Sequence, residues 1–183
     1  PYTTLFRSIQ EVSRNLENKY SFSELVDLAR AKKGFSSIVD VNDDRFLKPE
    51  NMIKEIKDYC IETNQKVPCD VGEIAMCVYN SLAHCYQKAV LNIEEIFEKE
   101  FKRINIFGGG CQNDFLNELV AKVTGKEVLA GPIEATAIGN IVAQLLSQNV
   151  FKNLGEARGA IKESFHIKDR KSTRLNSSHN SNL

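Results

Sequence analysis

The chain has 183 residues, of which 42% are hydrophobic and 26% charged, a composition typical of one globular domain or of part of a larger protein. Lysine and arginine total 24, as do aspartate and glutamate, so the charge balance gives no reason to expect nucleic acid as a partner. Glu134 and Asn140 interrupt the most hydrophobic region, which argues against a membrane-spanning segment of about 18 apolar residues.

The cysteines indicate where the protein works. They are Cys60, Cys69, Cys77, Cys85 and Cys111. None forms a C-x-x-C pair and no histidine lies at metal-ligand spacing, so we expect reduced thiols, a cytoplasmic protein and no metal site. Cys85 and Cys111 are expected to be small core residues. Cys60 and Cys77 lie on successive predicted helices, where they could approach each other, although a reduced pair is expected.

The two ends differ from the middle of the chain. Residues 171–183 are polar and rich in serine and asparagine, with no apolar anchor, which predicts disorder. Both this segment and residues 1–8 resemble peptides translated from sequencing adapters. We therefore expect the natural chain to run from about Ile9 to about Arg170, as one partial domain of a longer protein.

The first predicted helix spans residues 21–31. Ser21 precedes Glu24 by three residues, which is the spacing of a capping box at a helix start. Residues 36–50 change to a brief apolar run followed by turn-forming residues, which predicts a connecting loop.

A second helix is predicted over residues 50–63, with Pro49 suited to its first turn. Its apolar residues recur on one face, so the helix should lie against a core. Glu50 and Lys54 are one turn apart on the other face and are expected to pair.

One long helix is predicted from Val71 to Ile96. Apolar residues recur there at alternating steps of four and three, so one side should be buried along the whole length. The same spacing is also compatible with a coiled coil. Small residues on the stripe, such as Ala75 and Ala89, favour close packing on a sheet or neighbouring helix.

The remaining segment alternates strand and helix. We predict a buried strand over 103–107, a helix over 114–126 that stops at Gly125, a strand over 127–131 and a helix over 134–148. Consecutive units of this kind predict an α/β architecture with neighbouring parallel strands and right-handed crossovers.

Three glycines, Gly108–Gly110, follow the first of these strands. A glycine-rich turn between a strand and a helix presents backbone N–H groups to a ligand, at the sheet edge where ligands of α/β proteins bind. Glycine also lets a flat or charged group approach the main chain. Asn113 stands where a dinucleotide fingerprint would have glycine, and a P-loop lysine is missing. A tight turn without a ligand is the alternative.

Four stretches together carry a family resemblance. They are INIFGGGCQNDFLNEL, GKEVLAGPIEATAIGNI, NDDRFLKPENM and SLAHCY. These strings resemble the carboxy-terminal, nucleotide-side segment of the FGGY family of carbohydrate kinases. The R-F-L-x-P loop is similar to the branch that acts on L-rhamnulose. The resemblance covers about Ile9 to Phe165.

The resemblance implies an α/β fold of the actin-like ATPase (ribonuclease H-like) type, with this chain as the C-terminal part of the second FGGY kinase domain. It implies two domains, with ATP in the cleft between them and the sugar deep inside. The implied reaction transfers the γ-phosphoryl group of ATP, with Mg²⁺, to the 1-hydroxyl of L-rhamnulose. One alternative is a kinase for another ketose, such as L-fuculose or D-xylulose. The other is a remnant that binds nucleotide, or is only structural, without catalysis.

By resemblance, the nucleotide-binding residues are Gly108, Gly109, Gly110, Asn113 and Gln10. Asn113 would bond the ribose or base, and Gln10 would lie near ATP.

No catalytic and no metal-binding residue is assigned in this chain, because the family's phosphate-binding loop, sugar-binding residues and catalytic aspartate belong to a first domain that it lacks. Asp40, Asp43, Asp44 and Arg45 form a polar cluster that we expect to be solvated or turn-forming. His84 and His166 are given no catalytic or metal-binding role.

Overall fold

A computed structural model of the chain describes residues 2–165 and 168–170, with side chains described for 9–165. The chain divides into two compact units, residues 1–97 and 98–183. The expectations for residues 171–183 and for His166 fall outside the described residues. Within the described ranges, no helix has both the length and the apolar character needed to cross a membrane.

The first unit is helical. It contains α1 (Tyr2–Asn15), α2 (Phe22–Ala31), α3 (Met52–Glu62) and α4 (Val71–Phe97). Helix α2 packs along α4, while α1 contacts both α3 and α4. The predicted start of α2 is confirmed, because Ser21 accepts the Glu24 amide while the Glu24 carboxylate accepts the Ser21 amide. Helix α1 continues without a break through the proposed boundary at residue 8.

The start of α4 packs very closely on α2. A Cβ added at Gly72 would lie 2.8 Å from the Leu28 carbonyl oxygen and 3.0 Å from Lys32 Cγ. Backbone at that distance has no room for a side chain, so Gly72 sets the separation of the two helices. Lys32 also pairs with Asp70, which precedes α4, and so ties the two elements together at the surface.

Two expectations around α3 are wrong. Asn51 caps the helix by accepting the Lys54 amide, so Pro49 and Glu50 precede the helix. Glu50 therefore cannot pair one turn below Lys54. The Lys54 ammonium instead bonds the Asp58 carboxylate at 2.6 Å, one turn further along. The short asparagine side chain decided the helix start, because it bonds a backbone amide at the cap.

The length of α4 is confirmed, but the prediction of burial along the whole helix is wrong. Residues 72–79 and 81–83 are buried, whereas the apolar positions after them are only partly buried up to Val90 and exposed from Leu91 onward. The exposed large side chains there are Leu91, Ile93, Ile96 and Phe97, of which Ile96 is 75% exposed. Within the first unit, α4 packs mainly on α2 and α1, and its Cys77 contacts Cys60 of α3. The apolar stripe extends beyond the part of α4 that is covered by its own unit.

The second unit is built around a small sheet. Its elements are β1 (Arg103–Ile106), α5 (Asp114–Thr124), β2 (Glu127–Ala130), α6 (Ala135–Ser147), α7 (Leu154–Ser164) and β3 (Lys168–Arg170). The strand order is β1-β2-β3, with β1 parallel to β2 and β3 antiparallel to it. The predicted parallel pair is confirmed, and Gly125 ends α5 in the left-handed conformation with φ 69°.

Strand β1 is less buried than expected. Ile106 is buried, but Arg103 and Asn105 are exposed and Ile104 is only partly covered. Among the described residues β1 pairs with β2 alone, so it is an edge strand with one open side. Edge strands commonly carry charged and polar residues such as these.

Sequence reasoning did not predict α1, α7 or β3. Helix α7 has a readable start signal, since Asn153 accepts the Glu156 amide and the Glu156 carboxylate accepts the Lys152 amide. It packs against α6 through a separate apolar cluster that includes Ile138, Val142 and Ala157.

Candidate functional site

The glycines lie at the carboxyl edge of the parallel strand pair. After β1, Phe107 leads into a short 3-10 helix, Gly108–Gln112, which we call the glycine turn. The Gly131 amide, just past β2, donates to the Ile106 carbonyl at 2.9 Å. Both strand ends therefore meet at this edge, the position at which open α/β sheets bind ligands.

The backbone conformation favours glycine at the first position of the glycine turn but not at the second. Gly108 has φ 69°, a left-handed conformation that side chains rarely adopt. Gly109 has no such φ, and a Cβ built there would meet nothing within 4 Å. Neither its own backbone angles nor its neighbours among the described residues explain the glycine at 109. The turn leaves open space beside the main chain, which suits a ligand that approaches the backbone.

Asn113 joins the glycine turn to α5. Its side-chain oxygen accepts the Leu116 amide at 3.0 Å and so caps α5. Its own amide donates to the Gly110 carbonyl at 3.3 Å. The cap uses one of the two lone pairs of this oxygen, and the nitrogen Nδ2 takes no part in it. The predicted ribose or base contact of Asn113 stays a prediction.

Asn117 is a residue of this region that sequence reasoning missed. It is 1% exposed and lies in the first half of α5. Its Nδ2 donates to the Cys111 carbonyl at 3.1 Å, whereas its Oδ1 is buried without a hydrogen-bond partner among the described residues. Its neighbours on α5, Phe115 and Leu116, are buried apolar residues, and an amide among them was the available signal.

The predicted site residues fall in two units. Gly108, Gly109, Gly110 and Asn113 lie in the second unit, within six consecutive residues. Gln10 lies in the first unit as an exposed residue of α1. The role of Gln10 near a nucleotide stays a prediction from the resemblance.

The polar cluster at residues 40–45 is turn-forming, as expected. Asp40 accepts the Asn42 amide, and Asp43 accepts the Arg45 amide at the start of a short 3-10 helix. The Arg45 guanidinium donates to both carboxylate oxygens of Glu62, at 3.1 and 2.8 Å, and lies 5.2 Å from the Tyr59 ring centre. These bonds hold the R-F-L-x-P loop on α3.

The start of α4 holds three potential metal ligands, from Cys69, Asp70 and Glu73, within 4.8 Å of one another. The Glu73 carboxylate accepts bonds from Lys66 and from the amide and thiol of Cys69, and these lower its pKa to about 2. The Lys32 ammonium likewise donates a hydrogen bond to the Asp70 carboxylate. Cationic and amide donors thus already engage both carboxylates, so we interpret the group as a capped helix start.

The cysteines differ in environment. Cys60 and Cys77 are buried and their thiols are in hydrogen-bond contact, so the predicted proximity is confirmed. Burial raises the pKa of both thiols, which keeps them protonated and unreactive. Cys111 is buried as expected, but Cys85 is only partly buried. Cys85 instead lines a surface groove of about 290 Å³ beside His84.

Comparison with known proteins identifies the family. The sequence model described as "FGGY family of carbohydrate kinases, C-terminal domain" matches residues 3–147. The chain belongs to the FGGY family of carbohydrate kinases. The actin-like ATPase fold and the C-terminal position expected from the resemblance are thereby confirmed, and the mixed α/β structure agrees with them.

Relatives of this FGGY family chain are named rhamnulokinase. It is 56% identical over 160 residues to the rhamnulokinase of Halalkalibacterium halodurans. It is 51% identical over 159 residues to that of Oceanobacillus iheyensis and 48% identical over 160 residues to that of Bacillus subtilis. Each match covers 87% of this chain but only 33–34% of the relative. The chain spans about a third of the length of these curated relatives.

Proposed function

We propose that the chain forms the ATP-side, carboxy-terminal part of a cytoplasmic kinase that transfers the γ-phosphoryl group of ATP, with Mg²⁺, to the 1-hydroxyl of L-rhamnulose. The relatives' shared name supports this substrate, at identities of 48–56%. The family's implied chemistry supports ATP as the phosphoryl donor. Mg²⁺ follows from the general chemistry of phosphoryl transfer, in which it neutralises charge on the phosphates.

The observation that carries the proposal is the open space beside Gly109 at the carboxyl edge of β1 and β2. The residues present suit a nucleotide: Gly108 turns the backbone, Gly109 admits a close approach, and Asn113 offers a donor. ATP supplies the transferable phosphoryl group when bound. The role of this chain is to bind the nucleotide and to orient its phosphates. Positioning of this kind is a large part of what enzymes contribute to phosphoryl transfer.

We assign neither the proton acceptor nor a metal ligand to this chain. The described carboxylates near the R-F-L-x-P loop and at the start of α4 bond to neighbouring amides or cations of the chain. We therefore expect that residues 9–170 alone do not phosphorylate a ketose. Ketose-dependent ADP release by that purified segment would contradict this assignment.

A chimaera tests the proposal directly. The matching third of the Halalkalibacterium halodurans relative would be replaced by this chain, to which it is 56% identical. We expect ADP release with L-rhamnulose above that with L-fuculose or D-xylulose. The same chimaera carrying Gly109→Val is the matched control, with weaker ATP use expected because the side chain fills the open space.

The outcomes of this assay separate the alternatives. Preferred turnover of L-fuculose or D-xylulose would keep the kinase and change the sugar. Nucleotide binding without turnover of any ketose would favour a non-catalytic nucleotide-binding module. Turnover that is unaffected by Gly109→Val would contradict the assignment of the glycine turn to the nucleotide.

A further inference from the structure

We propose that Asn117 is a positioning residue for the glycine turn, holding its backbone in shape from beneath without touching the nucleotide. The inference rests on the proposed nucleotide role of the turn. It concerns a residue that was given no role in Sequence analysis and lies on α5, the helix that follows the glycine turn.

The contact that supports this role joins two backbone segments. Asn117 Nδ2 donates to the Cys111 carbonyl at 3.1 Å, and both residues are buried. Cys111 is the second-to-last residue of the 3-10 helix that forms the glycine turn. The Asn117 side chain therefore anchors the end of the glycine turn to the body of α5. Holding that end limits how far Gly108 and Gly109 can move.

The same side chain is costly for the fold. Its Oδ1 is buried and has no hydrogen-bond partner among residues 9–165, and a buried unpaired oxygen is destabilising. Other buried residues of α5 include Phe115, Leu116, Leu119 and Val120, all of them apolar. Helix packing alone would be served at least as well by leucine at position 117. The amide is therefore explained by the turn that it holds.

A purely structural role and a positioning role predict different behaviour for Asn117→Leu. The substitution removes one buried unpaired oxygen, but it also takes one donor from the buried Cys111 carbonyl, so we expect only a small drop in melting temperature. The glycine turn should loosen because its anchor is lost. A matched control is Val120→Ala, on the same helix at a fully buried position. It should lower the melting temperature through the cavity that it leaves, without loosening the turn.

The experiment is amide hydrogen exchange and an ADP titration, both followed by NMR on the 183-residue chain. For Asn117→Leu we expect the Asn113 amide, which bonds Gly110, to exchange roughly five- to tenfold faster, the factor for loss of about one hydrogen bond. Amides late in α5, near Ala121, should keep their exchange rates relative to the unaltered chain. The ADP concentration at half-maximal shift of the Gly108 and Gly109 amides should rise by a similar factor.

Three results would overturn the proposal: a large loss of melting temperature in Asn117→Leu, unchanged exchange at Asn113, or an unchanged ADP midpoint. The first would mean that Asn117 serves the fold itself. The proposed function fails separately. If the unaltered chain shows no shift at Gly108 or Gly109 with millimolar ADP, the nucleotide role is wrong, while the exchange data still decide whether Asn117 holds the turn.

Discussion

The start of α4 and the glycine turn each contain a glycine that the sequence alone does not explain. At Gly72, a Cβ would lie 2.8 Å from the Leu28 carbonyl oxygen, so the packing of two helices requires glycine. At Gly109, a Cβ would meet nothing within 4 Å. The first glycine is explained within the chain. The second is not explained by packing among the described residues, and the proposed nucleotide would account for it.

Polar groups in the two regions differ in the same way. Glu73 is 6% exposed, and both of its carboxylate oxygens accept hydrogen bonds from Lys66 or Cys69. Asn117 is equally well buried, but one of its two polar side-chain atoms has no hydrogen-bond partner among the described residues. A region built for stability satisfies its own groups. The glycine turn and the adjoining α5 keep an open glycine and a buried unpaired oxygen, which is the pattern expected where a binding role outweighs stability.

The largest effect is expected for Gly72→Ala. Alanine normally stabilises a helix by about 1 kcal/mol over glycine, but here its methyl group would collide with backbone. We expect a net loss of about 1–3 kcal/mol of unfolding free energy, the usual range for core overpacking. Thermal and urea unfolding followed by circular dichroism would measure it. An unchanged or raised stability would show that α2 and α4 can separate at little cost.

Glu73→Gln should remove a pH-dependent part of the stability. Bonds from Lys66 and Cys69 lower the pKa of Glu73 from 4.5 to about 2. A lowered folded-state pKa gives stability that is present above pH 4.5 and is lost as the pH falls towards 2. We expect the variant to lose about 1–2 kcal/mol at neutral pH, with a smaller difference in acid.

Urea unfolding of both proteins between neutral pH and acid measures the difference. A gap between the two that stays constant down to low pH would contradict the ion-pair explanation. Such a constant gap would indicate that the shape of the glutamine side chain, and not its missing charge, changes the stability.

Gly108→Ala should have a smaller effect on stability, of about 1 kcal/mol, because alanine is strained at φ 69°. The side chain itself would meet nothing within 4 Å, so no clash adds to the strain. The same unfolding measurements apply. A loss of stability as large as that of Gly72→Ala would mean that a side chain at position 108 does meet neighbouring atoms.

Gly139→Ala is the matched control at an exposed, open position within α6. With no neighbour to collide with, alanine should raise the stability by up to about 1 kcal/mol through helix propensity alone. Nucleotide binding should not change. A loss of stability there would show that the open-space criterion fails for this chain.

The sequence predicted features that local chemistry decides and missed those that depend on distant packing. The capping box at Ser21 and Glu24 and the stop at Gly125 were correct because a few neighbouring residues determine them. The burial of Ile96 was wrong because periodicity shows a face without showing what covers it. The predicted pair of Glu50 and Lys54 was wrong because Asn51 caps α3, so the helix begins after Glu50.

In the candidate site, too, local sequence features were predicted and features that depend on packing were missed. The glycine pattern and the family resemblance together indicated Gly108–Gly110, and the structure places them at the expected sheet edge. Asn117 was missed although its apolar neighbours were a signal, since an asparagine within a helix is more often on the surface. Its burial and its bond to Cys111 depend on how α5 meets the glycine turn.

The most direct test of the binding role is Gly109→Ala, with melting temperature and ADP midpoint measured on the same NMR samples. Alanine fits the backbone at 109 and clashes with none of the described residues, so we predict an unchanged melting temperature. We also predict at least about a tenfold weaker response to ADP, equivalent to about 1.4 kcal/mol of binding free energy. Unchanged ADP binding, or a loss of fold without a specific loss of binding, would contradict the claim that a ligand explains this glycine.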